Sequence, residues 1–331
     1  MTNYKKTLLF NRSSFENILN MSDYIAAVEY AHKLHAENSI VETNLIHADA
    51  PNGEYHIKTG GLLGEKSYYG LKANGGFFNN RQKHDLPNIL GIIYLSDAST
   101  AYPLAVFESS LISKMRTAAA TAIAAKHLKP TGPICLGVIG YGNQAEAHID
   151  ALMCVSKIES IKVSGRNENR IEEFVNKLKK KINIPVSSDS IQNTCENSNM
   201  LITCTPSTEY LVKKEWVQKG SFIGAIGADS PGKNELDPNI MLSSKIVADI
   251  KSQIIKVGES QHAIQKKLIT EENIYCELGE LITGKAKGRT SKDETFIYDS
   301  TGTAIQDVAA AAYIYDKLKD DPSIQSINLF E

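Results

Sequence analysis

The run Cys135-Leu136-Gly137-Val138-Ile139-Gly140-Tyr141-Gly142-Asn143-Gln144-Ala145 decides how this chain folds. Its first six residues are short and nearly all apolar, as in a strand covered on both faces of a parallel sheet. The run then passes directly into a G-x-G-x-x-A element opening a helix from about Gln144. Gly140 permits the tight turn, Gly142 lets backbone approach a pyrophosphate, and the small Ala145 lets helix and strand pack closely. The first N–H groups of the helix, around Asn143 and Gln144, then face the phosphates. Glycine-rich turns are common, so the reading depends on the residues downstream, which alternate strands with helices. Residues 161–165 (IKVSG), 200–206 (MLITCTP), 221–227 (SFIGAIG) and 245–250 (KIVADI) read as strands, with a polar helix through 171–181 (IEEFVNKLKKK). Strands spaced by helical patterns predict an α/β fold, a Rossmann doubly wound parallel sheet with right-handed crossovers.

Upstream the pattern differs. Residues 41–105 carry short apolar runs separated by Gly, Pro and Asn, predicting several strands joined by turns. Residues 109–128 (SSLISKMRTAAATAIAAKHL) lack Gly and Pro and predict a long helix stopped by Lys129-Pro130-Thr131-Gly132-Pro133, with a domain boundary in or beside it. Ser22 and Asp23 read as the start of an earlier amphipathic helix. The length of 331 residues suits two domains. Lys+Arg 36 against Asp+Glu 38 leaves no summed field to recruit nucleic acid or an anionic membrane. No run reaches the ~18 apolar residues of a membrane span, and the opening MTNYKKTLLF is too short for a secretory core, which places the chain in the cytoplasm. The cysteines, at 135, 154, 195, 204 and 276, form no C-x-x-C and no zinc-ligand spacing with His, so they read as reduced thiols and no metal is expected.

The ribose end of the nucleotide site distinguishes cofactors. NAD enzymes place an acid about 20 residues past the glycine turn, whereas NADP enzymes leave that place uncharged and use an Arg. Here the second strand ends in Ser164-Gly165-Arg166-Asn167, with no carboxylate until Glu168. Arg166 is suited to a charge-assisted fork on a 2'-phosphate, with Ser164 or Asn167 as further donors, so NADP(H) is preferred and NAD(H) possible. Thr205-Pro206 closes a later strand at the carboxyl edge of the sheet, fitting either a nicotinamide-ribose contact or a plain turn. Three charges are candidates for chemistry beside a nicotinamide, each alone reading equally as a salt-bridge partner. These are Lys72, read as lying at a strand end beside a permissive Gly-rich loop, Arg116 on its small and apolar helix, and Asp229 in the turn after the apolar strand 222–226.

Four segments in this order resemble the ornithine cyclodeaminase and mu-crystallin family, which includes archaeal-type alanine dehydrogenases, related amino-acid dehydrogenases and ketimine reductases. They are 103–128 (PLAVFESSLISKMRTAAATAIAAKHL), the glycine-turn strand, 225–237 (AIGADSPGKNELD) and 298–311 (YDSTGTAIQDVAAA). The resemblance implies a Rossmann dinucleotide-binding domain at 116–302 set within a discontinuous α+β substrate-binding and dimerisation domain at 1–115 and 303–331, and hence a homodimer. It implies that Lys72 and Arg116 bind the carboxylate of an amino or imino acid and that Asp229 attends the reacting amine or a water. It also adds Thr117, Ala228, Asp229 and Gly302 to the cofactor contacts. Two departures bear on the substrate. Residues 53–60 (GEYHIKTG) stand where relatives carry an Arg or Glu in a Leu-Met-Pro context, so His56 or Lys58 is expected to face the substrate side chain, a satisfied strand histidine being the alternative for His56, and Phe77-Phe78 stands where relatives have His-Pro. The expected activity is an NAD(P)-dependent oxidation of a CH–NH bond or reduction of the matching imine. The alternatives are a cyclodeaminase using bound NAD catalytically with ammonia release, and a non-catalytic NADPH-binding protein.

Overall fold

The computed structural model describes residues 6–77 and 79–330. In chain order its strands are β1 (Thr7–Phe10), β2 (Ile40–Ala50), β3 (Gly53–Leu63), β4 (Ser67–Gly76), β5 (Ile89–Asp97), β6 (Pro103–Glu108), β7 (Ile134–Ile139), β8 (Ile158–Ser164), β9 (Val186–Ser188), β10 (Met200–Thr203), β11 (Phe222–Ala225), β12 (Ser244–Ala248), β13 (Ile274–Glu277), β14 (Thr295–Asp299) and β15 (Gln325–Ile327). The chain divides into two compact units, Met1–Thr117 with Thr303–Glu331, and Ala118–Gly302.

The unit Ala118–Gly302 holds an all-parallel sheet in the order β13-β12-β14-β11-β10-β7-β8-β9. From β9 to β14 this is the 3-2-1-4-5-6 order of a Rossmann sheet. The chain departs from it after β11. It builds β12 and β13 at the far edge first, then returns to insert β14 between β11 and β12. Leu136, Leu201, Ile223, Ile246 and Ile297 are all fully buried, which is why these strands are continuous apolar runs rather than alternating ones.

The other unit is a seven-stranded sheet ordered β15-β1-β6-β5-β4-β3-β2, antiparallel except for the β1–β6 pair. Helices Met21–Ala36 and Ala304–Leu318 pack together, and the second lies on β3 and β4. Glycine makes that approach possible. Gly60 and Gly70 are cross-strand partners. A Cβ at Gly70 would fall 2.9 Å from Val308 Cγ2, and one at Gly60 would fall 3.2 Å from Ala304 Cβ. The helix therefore settles onto a floor without side chains, and its first turn comes down over the next cross-strand pair, Lys58 and Lys72.

The long helix is Ser109–Leu128, the glycine turn opens Asn143–Val155, and the late helix is Ala304–Leu318 with Thr303 at its cap. Two sequence expectations need correction. The first helix starts at Met21 and is capped by Asn20; Asp23 closes the capping box, its carboxylate accepting from Asn20 N at 3.0 Å. Lys72 is not at a strand end. It sits inside β4, because Gly75 and Gly76 pair with Tyr55 and Glu54 on one side and Leu90 and Ile89 on the other, so the glycines continue the strand. Phe77 follows β4, and Phe78 lies outside the described residues. No helix among the described residues is long and apolar enough to cross a membrane.

Candidate functional site

Strand register puts Lys58 directly opposite Lys72 on the face covered by helix Ala304–Leu318. Both are buried, as is Arg116. Three cations out of water need a counter-charge, and Asp307, in the first turn of that helix, supplies one. Lys72 Nζ lies 2.7 Å from Asp307 Oδ2, and Arg116 Nε donates to Asp307 Oδ1 at 2.8 Å. Arg116 Nη1 donates to Gln306 Oε1 at 2.7 Å, and Gln306 Nε2 donates to His32 Nε2 at 2.9 Å. His32 stays neutral because burial, then His35 and Arg116, push it down to about 3. The helix N-terminus adds its own partial positive charge beside Asp307.

The balance of charge at this cluster is cationic. Burial pushes Asp307 up, but Arg116, Lys72 and Lys58 outweigh it and hold the carboxyl below its ordinary range, so it is ionised at neutral pH. Lys72 moves the other way. Burial, then Arg116 and Lys58, lower it to about 7 against the pull of Asp307.

The unit Ala118–Gly302 carries the nucleotide features. Gly140 has φ +120°, and a Cβ there would meet Cys204 O at 2.9 Å, so only glycine lets β7 turn against the end of β10. Gly142 is the N-cap of helix Asn143–Val155 and offers no side-chain cap, and beyond its chain neighbours nothing among the described residues lies within 4 Å of where its Cβ would be. The helix start is thus open, and the residues fit a dinucleotide pyrophosphate. At the end of β8, a Cβ on Gly165 would strike the Tyr141 ring at 2.5 Å, while Arg170 lies 5.4 Å over that ring. Arg166 is exposed. Ser164 is buried and its hydroxyl has no hydrogen-bond partner. Asn167 uses its side-chain oxygen to cap helix Glu168–Lys181, accepting from Arg170 N at 3.0 Å. Asp229 is paired with Lys233 at 2.6 Å, its side chain 41% exposed. Ala228 is buried, Pro206 is exposed, and Thr117 donates its hydroxyl to Ser113 O at 2.6 Å.

Sequence reasoning passed over the residues that hold these pieces in place. Asp307 and Gln306 sit inside the quoted segment 298–311, and the signal was available: an acid and an amide at the head of an otherwise apolar, Ala-rich helix. Buried carboxylates also fasten the strand ends. Glu235 accepts from Thr205 N at 2.6 Å and Gly227 N at 2.8 Å. Asp249 accepts from Gly302 N at 2.6 Å. Asp299 accepts from Glu259 N and Ser260 N, and Glu259 accepts from Glu235 N at 2.7 Å. Burial raises Asp299 to about 7 and Glu259 well above its ordinary value, Glu235 and Asp299 adding to the latter. Each satisfies backbone donors that would otherwise be orphaned where the loops leave the sheet.

The family described as "Ornithine cyclodeaminase/mu-crystallin family" matches residues 5–322. An alanine dehydrogenase of Archaeoglobus fulgidus is 35% identical over 312 residues, 94% of this chain and 95% of that protein. Among solved structures, an archaeal alanine dehydrogenase dimer with bound NAD aligns with a TM-score of 0.93 and 34% identity, covering 98% of this chain and all of that one. The Δ1-pyrroline-2-carboxylate reductase of Thermococcus litoralis, in complex with NADH and L-proline, aligns with a TM-score of 0.91 and 29% identity, covering 97% and 100%.

Proposed function

The chain belongs to the ornithine cyclodeaminase/mu-crystallin family, and on that footing we propose that it is a nicotinamide-dependent oxidoreductase acting on the CH–NH bond of a small amino acid or on the matching imine. The observation that carries this reading is the burial of Lys58, Lys72 and Arg116 together, with Asp307 paired to both Lys72 and Arg116. Such a site offers buried positive charge to a substrate carboxylate. Arg116 grips it as a planar fork and Lys72 adds point charge. Lys58 contributes to the same field. Asp229 is assigned to the reacting nitrogen, holding the iminium or taking its proton. A nicotinamide held here would supply or accept the hydride at the substrate's α-carbon. Gly140, Gly142, Asn143, Gln144 and Ala145 hold the pyrophosphate, with Thr117, Thr205, Pro206, Ala228 and Gly302 completing the cofactor contacts.

We assign NADP(H) as the preferred cofactor, with Arg166 on the 2'-phosphate and Ser164 and Asn167 beside it. Arg166 is exposed with no ion pair among the described residues, and no carboxylate stands at the end of β8. Catalytic efficiency should be higher with NADPH than NADH. Arg166→Ala should cut the NADPH value by roughly 10- to 100-fold, about 1.5–3 kcal/mol for a charge-assisted pair, and leave NADH nearly unchanged. An NADH preference that survives the substitution refutes the assignment.

We place the protein in the cytoplasm as a homodimer. The sheet face opposite Lys58 and Lys72 exposes Ile46, Tyr55, Leu90 and Ile92, an apolar surface suited to a second copy.

The activity is tested by screening L-amino acids with NADP+, and 2-oxo acids with ammonia or amines and NADPH, scoring absorbance at about 340 nm, the reduced-nicotinamide band, together with ammonia. Net cofactor turnover supports the proposal, whereas ammonia release without it indicates cyclodeamination. Lys72 adds a pH signature. In the free enzyme it loses its proton near pH 7, so kcat/KM should decline on the alkaline side with an apparent pKa near 7. Lys72→Arg should remove that limb, and an unchanged profile would take Lys72 out of carboxylate binding.

A further inference from the structure

The hairpin of β2 and β3 brings together side chains whose proximity sequence spacing alone conceals. His47 and His56 are cross-strand partners, and Asp49 pairs with Glu54 two residues along. Facing side chains of an antiparallel pair fall within reach of one another, so the register places all four on one face. The imidazoles meet edge to face with centroids 4.9 Å apart. His56 Nε2 lies 3.3 Å from Glu54 Oε1, and His47 Nδ1 lies 3.9 Å from Glu54 Oε2.

His47 carries the argument. Its Nε2 lies 3.1 Å from Asp49 Oδ1, and a carboxylate can only accept, so the neutral tautomer that this contact favours keeps the proton on Nε2 and leaves the lone pair on Nδ1. That Nδ1 is buried and has no hydrogen-bond partner. A buried acceptor aimed at a carboxylate it cannot bond, beside a second imidazole, lacks an electrophile.

We propose that His47, His56 and Glu54 form a binding site for a divalent transition-metal ion, zinc above all, with Asp49 orienting His47. Imidazole nitrogens and one carboxylate suit zinc, leaving a fourth position for solvent. Zinc ligands at about 2.0–2.2 Å sit about 3.4 Å apart at the corners of a tetrahedron. The His56–Glu54 pair at 3.3 Å already has that spacing, the 3.9 Å contact of His47 is to the other Glu54 oxygen, and the three ligand atoms lie within 4.8 Å of one another, so the set must close by up to about 1.4 Å around an ion. Asp49, its side chain 94% exposed, accepts from His47 Nε2 from the solvent side, the kind of contact that biases ligand tautomers in metal sites. The side chains are 28%, 21% and 14% exposed for His47, Glu54 and His56, open enough for entry yet partly desolvated. His56 then serves the ion rather than the substrate side chain. The proposal is independent of the redox reading, because it needs neither cofactor nor turnover.

The test uses the full-length chain stripped with a chelator and titrated with Zn(II) by calorimetry and with Co(II) by visible absorption. Expected are about one ion per chain and the intense absorption of tetrahedral Co(II). His47→Ala and His56→Ala should each weaken Zn(II) binding by at least 100-fold, and Asp49→Ala by roughly 10-fold, the effect of removing an orienting partner. Glu54→Gln, nearly isosteric, should abolish the tetrahedral spectrum while the thermal transition of the metal-free chain stays in place. Absence of stoichiometric Zn(II) uptake by the unsubstituted chain, a weak octahedral Co(II) spectrum, or equal affinity in the His variants overturns the proposal.

Discussion

Asp307→Ala should destabilise the chain by roughly 3–5 kcal/mol, the cost of removing one partner from a buried ion pair. Asp307 is the carboxylate between Arg116 and Lys72, each under 3 Å away, with Lys58 buried nearby. Without it, three cations face one another in a desolvated space, which costs far more than the two lost hydrogen bonds. The pH dependence separates this from simple loss of packing. Lys72 is held at about 7, below its unfolded value of 10.5, so the folded chain binds fewer protons than the unfolded one between those values. Its contribution to stability therefore improves as pH rises through that window. In the variant the depression deepens, so the deficit should be greatest near pH 6 and shrink toward pH 9. Urea denaturation at both values measures it. A loss below about 1 kcal/mol, or one independent of pH, would mean that the cations are already solvated.

Arg116→Ala should lower kcat/KM by roughly 30- to several-thousand-fold, corresponding to about 2–5 kcal/mol for truncating one member of a buried, hydrogen-bonded charge pair. Two consequences combine. The substrate carboxylate loses its fork, and Gln306 Oε1 and Asp307 Oδ1 lose the donor that orients them. Arg116→Lys should recover little, because an ammonium cannot span a carboxylate and Gln306 together in one plane. Loss confined to KM with kcat preserved identifies binding shared by ground and transition states; loss in kcat as well identifies a contact that tightens during hydride transfer. Unchanged steady-state constants would leave Arg116 a structural partner of Asp307.

The nucleotide unit was legible because its signals are local. A buried strand, two glycines and an uncapped helix start occupy eleven consecutive residues, and one of them, Gly140, is dictated by φ and by contact with Cys204. The cationic cluster was legible only in part. Lys72 and Arg116 stood out as charges among small or apolar neighbours, whereas Asp307, 191 residues from Arg116, becomes their partner only through tertiary packing. The mistaken strand end at Lys72 has the same origin. Gly75 and Gly76 read as a loop until pairing with β3 and β5 satisfies their backbone groups. His47 and His56 lie nine residues apart, and register alone brings them face to face. The late insertion of β14 leaves no local trace, since its apolar run is like that of any buried strand.

The order in which the ribosome delivers these residues follows from the placement of Asp307. Arg116 leaves the exit tunnel 191 residues ahead of its counter-ion, an interval of about ten to forty seconds at ordinary elongation speeds. During that interval the glycine floor of β3 and β4 has no covering helix, and the nascent N-terminal segment is an unsealed sheet with positive charges on its inner side. A chain arrested before Ala304 lacks the helix that covers β3 and β4, and release of the final segment is the event that seals the sheet.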